Sequence, residues 1–316
     1  MKNGGIYFCP VIYIFVDMDY PGNQIEFENM FSDEQKCLDY IIQFKWKDRF
    51  NCPKCGHDKY WHSTRKRIVC AKCEYQTTPL AGTIFEQTNK PLKLWFRAIW
   101  WMVAQKSGVS AKGLQKVLGI GSYKTAWTWL HKLRLLTINP ERQKLSGTIE
   151  VDETLVGGKK KGKRGRGAEG KTIVVIAIEI LEKSTGRIRL AKVPNATRKN
   201  LLSFIAVNIE KGATIITDGL NSYKSLSQIG YQHIIERGVI KYADEELLPN
   251  AHRVASLLKR WMLGTHQNFV SPERLPVYLD EFVFRYNRRT SKSRGLLFKR
   301  IIEQAVNHKP VQYSVI

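Results

Sequence analysis

Two pairs of cysteines constrain the fold of the N-terminal region more tightly than any other feature of this sequence. Cys52 and Cys55 form one Cys-x-x-Cys pair, Cys70 and Cys73 form another, and 14 residues separate the pairs. Zinc prefers four soft ligands in a tetrahedron, and two turns that each carry a thiol pair supply them. Redox-active thiols and disulfides are the alternatives, and the double spacing disfavours both. We therefore predict a zinc ribbon in which these four thiolates bind a structural Zn²⁺ ion.

The charge of the chain indicates a polyanionic partner. Its 316 residues include 51 Lys and Arg against 28 Asp and Glu, which gives a formal net charge of +23. Nucleic acid is the commonest partner for such an excess, and a ribosome-associated or merely basic protein is the alternative. Hydrophobic residues make up 43% of the chain, so we expect a folded protein. No apolar run reaches the roughly 20 residues that cross a bilayer.

The first residues carry a short apolar run, over residues 6–16, behind Lys2. This run has two interpretations: a weak signal peptide, or a start codon placed upstream of a true start at Met18. We favour the second, because paired thiols and high positive charge suit a reducing compartment that contains DNA. The expected location is therefore the cytoplasm.

Apolar periodicity predicts a helix-turn-helix after the cysteines. A strongly apolar helix begins near Pro91, and a helical hairpin follows over residues 110–136 with a break at Gly119. Two helices joined by a short glycine-containing turn are typical of DNA-binding proteins. Ser122 would cap the second helix of the pair, and Lys124 near its start is the predicted DNA contact. An ordinary helical hairpin with a solvated basic face is the alternative.

Beyond residue 140 the pattern changes to segments rich in Val and Ile. Strands are predicted over residues 148–156, 171–180, 187–193 and 213–218. Helices are predicted over residues 200–209, 254–263 and 276–289. This mixture indicates an α/β core.

Two aspartates lie on these predicted strands. Asp152 shares one face of its strand with Glu150, because side chains alternate along a strand. Asp218 ends the strand that precedes Gly219. A buried carboxylate is costly unless it binds a partner or a metal, although an Asp before Gly is by itself typical of a turn. Together, in a basic α/β domain, they suggest two carboxylates that converge on Mg²⁺.

Several motifs occur in the order found in one group of transposases. They are AGTIF at 81–85, EVDETLVGG at 150–158, TDG at 217–219, SLLK at 256–259, GTH at 264–266 and YLDEFVFRYNRR at 278–289. Through these motifs, over roughly residues 30 to 305, the chain resembles the DDE-type bacterial insertion-sequence transposases of the Merlin-related, ISXO-like group. The resemblance implies an RNase H-like domain that cuts DNA at the ends of an element and joins them to a target.

The resemblance also implies an organisation for the whole chain. We expect an N-terminal extension at 1–30, a zinc ribbon at 31–85, a helix-turn-helix at 86–140 and an RNase H-like catalytic domain at 145–305. The fold class is then α/β: an RNase H-like mixed sheet with helices, preceded in the chain by a small zinc ribbon and a helix-turn-helix. Because this chemistry must hold two DNA ends together, we expect a homodimer on DNA, located at the bacterial nucleoid.

The catalytic residues follow from the resemblance position by position. Asp152 and Asp218 match the first two acidic ligands of Mg²⁺ or Mn²⁺. The third acid in much of the family is a Glu seven residues before a Lys, whereas His252 stands seven residues before Lys259 here. Imidazole suits Mn²⁺ better than Mg²⁺, and Asn250 would be a neighbouring oxygen donor. Lys259 would contact a phosphate or supply simple surface charge.

The presence of His252 in place of the third acid leaves two interpretations of the activity. His252 is either a working third ligand or the mark of a copy that has lost activity and serves as a DNA-binding protein or regulator. An RNA-processing nuclease of the same fold is a further alternative.

Basic residues near the predicted strands are candidate DNA contacts. Residues 159–166 hold six cations directly after the first catalytic strand, and a flexible solvated loop is the alternative interpretation. The arginines of the helix at 276–289, Arg285 among them, would add phosphate contacts. The residues predicted to bind DNA besides Lys124 are Lys159, Lys160, Lys161, Lys163, Arg164, Arg166, Arg288 and Arg289.

Overall fold

A computed structural model describes most of the chain, and packing divides it into two compact units. The described residues are 20–47, 49–64, 67–138, 141–157, 171–236, 247–267 and 270–312. Met1–Trp100 and Ser293–Val311 form what we call the ribbon unit, and Trp101–Lys292 with Gln312–Ile316 form the sheet unit. The predicted start at Met18 and the basic run at 159–166 lie outside the described residues. Within those residues, no helix has the length and apolar character needed to span a bilayer.

The secondary structure follows the predicted order of elements. The helices of the described ranges are α1 (Gln24–Met30), α2 (Glu34–Lys45), α3 (Leu92–Ala104), α4 (Ala111–Leu118), α5 (Tyr123–Leu135), α6 (Arg198–Asn208), α7 (Pro249–His266), α8 (Leu275–Asn287) and α9 (Arg294–Asn307). The strands are β1 (Tyr60–His62), β2 (Ile68–Cys70), β3 (Gln76–Thr77), β4 (Thr148–Val156), β5 (Thr172–Leu181), β6 (Ser184–Val193), β7 (Thr214–Thr217) and β8 (Gln232–Ile235).

The ribbon unit combines a small antiparallel sheet, in the order β1-β2-β3, with an aromatic helical core. Phe298 of α9 is fully buried, and its ring centroid lies 5.6 Å from that of Phe27, 5.3 Å from that of Phe31 and 5.5 Å from that of Phe96. The last helix of the described chain therefore completes the N-terminal core. The predicted four-part division had assigned residues up to 305 to the catalytic domain, and that division stays a prediction.

The sheet unit is built on five strands in the order β6-β5-β4-β7-β8. Strands β4, β5 and β6 pair antiparallel, whereas β7 pairs parallel with β4 and β8 pairs parallel with β7. The predicted fold class, an RNase H-like mixed sheet with helices, is confirmed. β4 has the predicted bounds, and the short strand β8 was not predicted.

Helices cover both faces of this sheet, and the alternation along β4 decides which residue meets which helix. Ile149 and Val151 pack into a core with Leu201 and Ile205 of α6. The intervening residues face the other way: Asp152 pairs with Ile176, and Ile176 packs into the core formed with α7 and α8. Asp152 therefore faces α7.

The predicted helical hairpin is present in the sheet unit as α4 and α5. Ser110 caps α4 by accepting a hydrogen bond from the N–H of Gly113, and Gly119 ends it with a left-handed φ of 62°. The second helix packs against α8 through its C-terminal half, where Trp129, Leu130 and Leu133 are buried. The hairpin thus packs on α8, while Lys112, Lys116 and Val117 of α4 and the beginning of α5 are exposed.

Candidate metal centres and catalytic site

The four cysteines of the ribbon unit stand at the distances of a tetrahedral zinc site. All four sulfurs lie within 4.8 Å of one another. The Sγ atoms of Cys52 and Cys73 are 3.6 Å apart, and so are those of Cys55 and Cys70. A tetrahedron with Zn–S bonds of about 2.3 Å has sulfurs about 3.8 Å apart, whereas a disulfide has them about 2.05 Å apart. The donor set therefore fits Zn²⁺, and the predicted zinc ribbon is confirmed.

Two matching turns hold these thiols. The carbonyl of Cys52 accepts from the N–H of Gly56, and its own N–H donates to His57. The carbonyl of Cys70 accepts from Glu74, and its N–H donates to Tyr75, which repeats the same pattern. Gly56 and Glu74 occupy equivalent positions with φ of 71° and 55°.

Backbone N–H groups in the second turn also favour the thiolate. Burial acts to raise the pKa of Cys70, but the N–H groups of Cys73 and Lys72 outweigh it and lower that pKa to about 6. A deprotonated sulfur is the form that binds zinc.

The first two predicted acids lie on adjacent parallel strands of the sheet unit. Glu150 of β4 is paired with Ile216 of β7 in parallel register, and two residues further along come Asp152 and Asp218. Asp152 is half-buried and Asp218 is exposed at the end of β7. The N–H of Leu220 donates to Asp218 Oδ1 at 3.0 Å and fixes this turn. Asp152 and Asp218 therefore each lie two residues beyond the last parallel pair, and Asp218 follows the end of β7.

Gly219 is required where the turn passes β8. Its φ is 80°, and a Cβ at this position would lie 2.6 Å from the side chain of Ile235. A larger residue would displace the backbone that carries Asp218.

The third predicted ligand approaches the first acid from helix α7. His252 Nε2 lies 3.3 Å from Asp152 Oδ2, and the two side chains are 38% and 14% exposed. Lys259 lies two turns further along the exposed side of α7, about 10 Å away along the axis. One imidazole and one carboxylate thus meet at this position, whereas the group of three or more metal-ligand side chains found within the described residues is that of the four cysteines. Metal binding by Asp152, Asp218 and His252 stays a prediction.

Glu150 has a different environment from Asp152, although both lie on the same face of β4. It is 4% exposed, and its carboxylate accepts from the N–H of Asn250 at 3.0 Å and of Ala251 at 2.9 Å. The side-chain amide of Asn250 donates to it as well, at 2.7 Å. Asn250, predicted as an oxygen donor near the metal, therefore directs its amide nitrogen to Glu150. Sequence reasoning placed Glu150 on the correct face and did not identify these partners.

A buried tyrosine lies behind the aspartates and was not predicted. The hydroxyl of Tyr223, in the turn after β7, donates to Glu153 on the opposite face of β4. Burial raises the pKa of Tyr223, and the carboxylates of Glu153, Asp152 and Asp218 raise it further. The tyrosine thus stays protonated and available as a donor. Its only sequence signal was its position five residues after Asp218.

The predicted DNA contacts fall into three classes. Lys124 is exposed at the start of α5. Arg289 donates to the carbonyls of Thr185 and Gly186 and stacks on Tyr286, and the Arg288 guanidinium lies 4.1 Å from the ring of Phe284. The six cations of 159–166 are outside the described residues. DNA binding by all of them stays a prediction.

A buried charge cluster joins α5 to α8 and corrects the expectation for Arg285. Glu281 Oε1 accepts from Arg285 Nε at 2.8 Å, and Glu281 Oε2 accepts from Arg134 Nε at 2.8 Å. Arg134 and Glu281 are 2% and 1% exposed. Burial acts to raise the pKa of Glu281, but the guanidiniums of Arg285 and Arg134 outweigh it and lower that pKa to about 2. Arg285 is therefore a structural partner of Glu281 rather than a free phosphate contact.

Comparisons with known proteins agree with the two sites. Residues 32–76 match the transposase zinc-ribbon domain, and residues 144–287 match the ISXO2-like transposase domain. A relative, the uncharacterized protein in transposable element ISH50 of Halobacterium salinarum, is 26% identical over 280 residues, which cover 81% of this chain and 91% of that protein. The zinc-ribbon match contains the four cysteines, and the transposase match contains Asp152, Asp218 and His252. The chain therefore contains a transposase zinc-ribbon domain followed by an ISXO2-like transposase domain.

Proposed function

We propose that this protein binds the ends of its insertion sequence and performs metal-dependent strand cleavage and strand transfer. The observation that carries the proposal is the meeting of His252 Nε2 and Asp152 Oδ2 at 3.3 Å, and Asp218 at the end of the neighbouring strand β7 supports it. Together with the matches to a transposase zinc-ribbon domain and an ISXO2-like transposase domain, this arrangement favours a catalytic centre over a scaffold that only binds DNA.

The donor set fits Mn²⁺ better than Mg²⁺. Asp152 and Asp218 would each offer carboxylate oxygens, which both ions accept, whereas the imidazole of His252 suits Mn²⁺. When bound, a pair of divalent ions supplies an activated water and stabilises the leaving 3′ oxygen of a phosphodiester. The protein would also retain some activity with Mg²⁺, because two of its three ligands are oxygen donors.

The other residues would bind and orient DNA around this centre. Lys259 lies on the same side of α7 as His252, where it would contact a phosphate next to the cleaved bond. Lys124 would contact the element end at the start of α5, and the cations of 159–166 would grip phosphates beyond β4. The zinc ribbon would hold a further DNA-binding surface in shape without taking part in the chemistry.

The assembled form would be a dimer on DNA. Strand transfer needs two ends in one complex, so we propose that two copies pair the ends at the bacterial nucleoid. Light scattering on DNA that carries both ends checks this, and one copy per pair of ends would contradict it.

A nicking assay tests the catalytic proposal. Short inverted repeats flanking the gene would provide the end DNA, and cleavage would be measured with Mg²⁺ and with Mn²⁺. We expect cleavage by the native protein, stronger with Mn²⁺, and its loss in Asp152→Asn and Asp218→Asn. Asp280→Asn is the matched control, since it makes the same change in an acid of α8 to which the proposal assigns no role in metal or DNA binding.

The departure from the common third acid favours one second candidate, an inactive DNA-binding derivative. If neither the native protein nor the two aspartate variants cleave DNA while all still bind end DNA, that result would support the inactive derivative and contradict the proposed enzyme activity. Cleavage confined to RNA duplexes would instead point to an RNA-processing nuclease.

A further inference from the structure

Helix α7 begins without a cap of its own. Leu248 precedes it in a left-handed conformation with φ of 53°, and no side chain at that position accepts a hydrogen bond from the first turn. The first N–H groups of a helix have no partner within the helix and need an acceptor from elsewhere. In α7 that acceptor is the carboxylate of Glu150, which comes from the neighbouring strand β4.

Glu150 is held by these N–H groups rather than by a cation. Three donors from Asn250 and Ala251 lie within 3.0 Å of its oxygens, and the side chain is 4% exposed. Its recorded partners within the described residues are these three donors, and no Lys or Arg is among them. A buried carboxylate is costly unless hydrogen bonds satisfy it, and the positive end of a helix dipole favours its charge. The contact therefore orders the first turn of α7 strongly.

The spacing along the strand and the helix connects this contact to the metal site. Glu150 and Asp152 are two residues apart on one face of β4, and Asn250 and His252 are two residues apart in α7. Glu150 accepts a hydrogen bond from the N–H of Asn250, and two residues further along the strand and the helix, Asp152 Oδ2 lies 3.3 Å from His252 Nε2. Strand β4 thus carries both Asp152, a proposed metal ligand, and Glu150, which contacts the helical turn that carries His252.

We infer that Glu150 is a positioning residue, which fixes the first turn of α7 so that His252 faces Asp152. The inference rests on the proposed function, because it assigns to Glu150 the alignment of the third ligand. It goes beyond that function in giving this acid of the EVDE segment a task separate from metal binding.

A double-mutant cycle on Mn²⁺ binding tests the inference. In Glu150→Gln the negative charge at the start of α7 is lost, and the new NH2 group faces either the side-chain amide of Asn250 or the backbone N–H groups of Asn250 and Ala251, so the first turn of α7 should loosen. We expect Mn²⁺ affinity, measured by calorimetry on the full chain, to fall by about tenfold, the lower end of the range for residues behind a metal ligand. His252→Ala should also weaken Mn²⁺ binding. The double variant should bind no more weakly than His252→Ala alone, because Glu150 acts through His252.

Two further variants separate positioning from mere stability. Asn250→Ala removes only the side-chain donor and should give a smaller loss of Mn²⁺ affinity. Glu179→Gln is the matched control, since Glu179 is another buried, hydrogen-bonded acid in the same sheet, bound to Arg187 and Ser146. It should lower the melting temperature and leave Mn²⁺ affinity unchanged.

A measurement without metal makes the test independent of activity. Amide hydrogen exchange at residues 250–252 should accelerate in Glu150→Gln and not in Glu179→Gln. Unchanged exchange there, Mn²⁺ affinity equal to that of the native protein, or fully multiplicative losses in the double variant would each overturn the inference.

The outcomes also separate this inference from the proposed function. If Asp152→Asn loses Mn²⁺ binding while Glu150→Gln keeps it, the positioning role alone is wrong. If the native protein takes up no Mn²⁺, or Asp152→Asn binds it unchanged, the proposed function is wrong and the positioning role with it.

Discussion

The zinc site and the aspartate site are built on opposite principles. The zinc ligands come from one short segment, with Cys52 and Cys73 only 21 positions apart, and two repeated turns hold them. The proposed ligands Asp152, Asp218 and His252 come from a strand, the end of another strand and a helix that are distant in the sequence, and the pairing of β4 with β7 and the contact between Glu150 and α7 connect these elements. A local site therefore needs only its turns, whereas the second site needs the whole sheet unit. The following changes test this difference.

Removal of a zinc ligand should have the largest effect and should stay local. Cys70→Ser abolishes a binding free energy of about 10 kcal/mol or more for a structural zinc, so β1, β2 and β3 should unfold. Zinc content and amide exchange over residues 52–77 measure this. Mn²⁺ binding by the sheet unit should be unchanged. Cys37→Ser is the control, because Cys37 is buried away from the zinc ligands and burial raises its pKa to about 12. Joint loss of Zn²⁺ and Mn²⁺ binding in Cys70→Ser would show that the sites are not independent.

Removal of a buried charge far from the aspartates should weaken the second site. Glu281→Ala leaves the guanidiniums of Arg134 and Arg285 buried without their acid, which costs about 3–5 kcal/mol. Urea unfolding followed in the sheet unit checks the loss, and zinc content should not change. A variant as stable as the native protein would mean that the cluster contributes nothing to the packing of α5 on α8.

Replacement of the histidine by the acid common in the family should change the choice of metal. In His252→Glu the third ligand becomes an oxygen donor, so the ratio of Mg²⁺ to Mn²⁺ affinity should rise by about tenfold. Calorimetry with each ion measures the ratio, and His252→Gln serves as a neutral control. An unchanged ratio would indicate that residue 252 does not contact the ion.

The pH dependence of stability should show the smallest effect. Burial lowers the pKa of His266 to about 4 and that of His131 to about 3, from 6.5 in an exposed chain. The unfolded chain therefore binds protons below pH 6.5 that the folded chain does not, and stability falls as the pH decreases from 6.5 to 4. His266→Leu should reduce this slope, and the Nε2 atom that it removes is buried without a hydrogen-bond partner within the described residues. Equal slopes in both proteins would contradict the assignment.

Much of the fold could be predicted because its signals are local. The run of Val, Ile and alternating acids at 148–156 gave β4 with its observed bounds, and Gly119 marked the turn between α4 and α5. β8 was missed because its four residues, Gln-His-Ile-Ile, are too few and too polar to form a strong apolar run. The place of α9 in the ribbon unit depends on Phe298 meeting Phe27 and Phe96 across nearly the whole chain, which no local pattern encodes.

The candidate site divides in the same way. The four cysteines were identified from their spacing, and Asp152 and Asp218 from their strands and motifs. The partner of Glu150 could not be inferred, because 100 residues separate it from Asn250 and its three hydrogen bonds exist only after β4 and α7 have met. The pairing of Arg134 with Glu281 spans 147 residues, so no local pattern encodes it.

The cluster of Arg134, Glu281 and Arg285 has a consequence for where DNA would be cut. It locks the end of α5 to α8, whose neighbours in the core surround the strand that carries Asp152. A duplex bound at Lys124 would then be held by a helix whose other end is tied to α8 through Glu281. The distance from the recognised bases to the cut would then depend on this contact between α5 and α8.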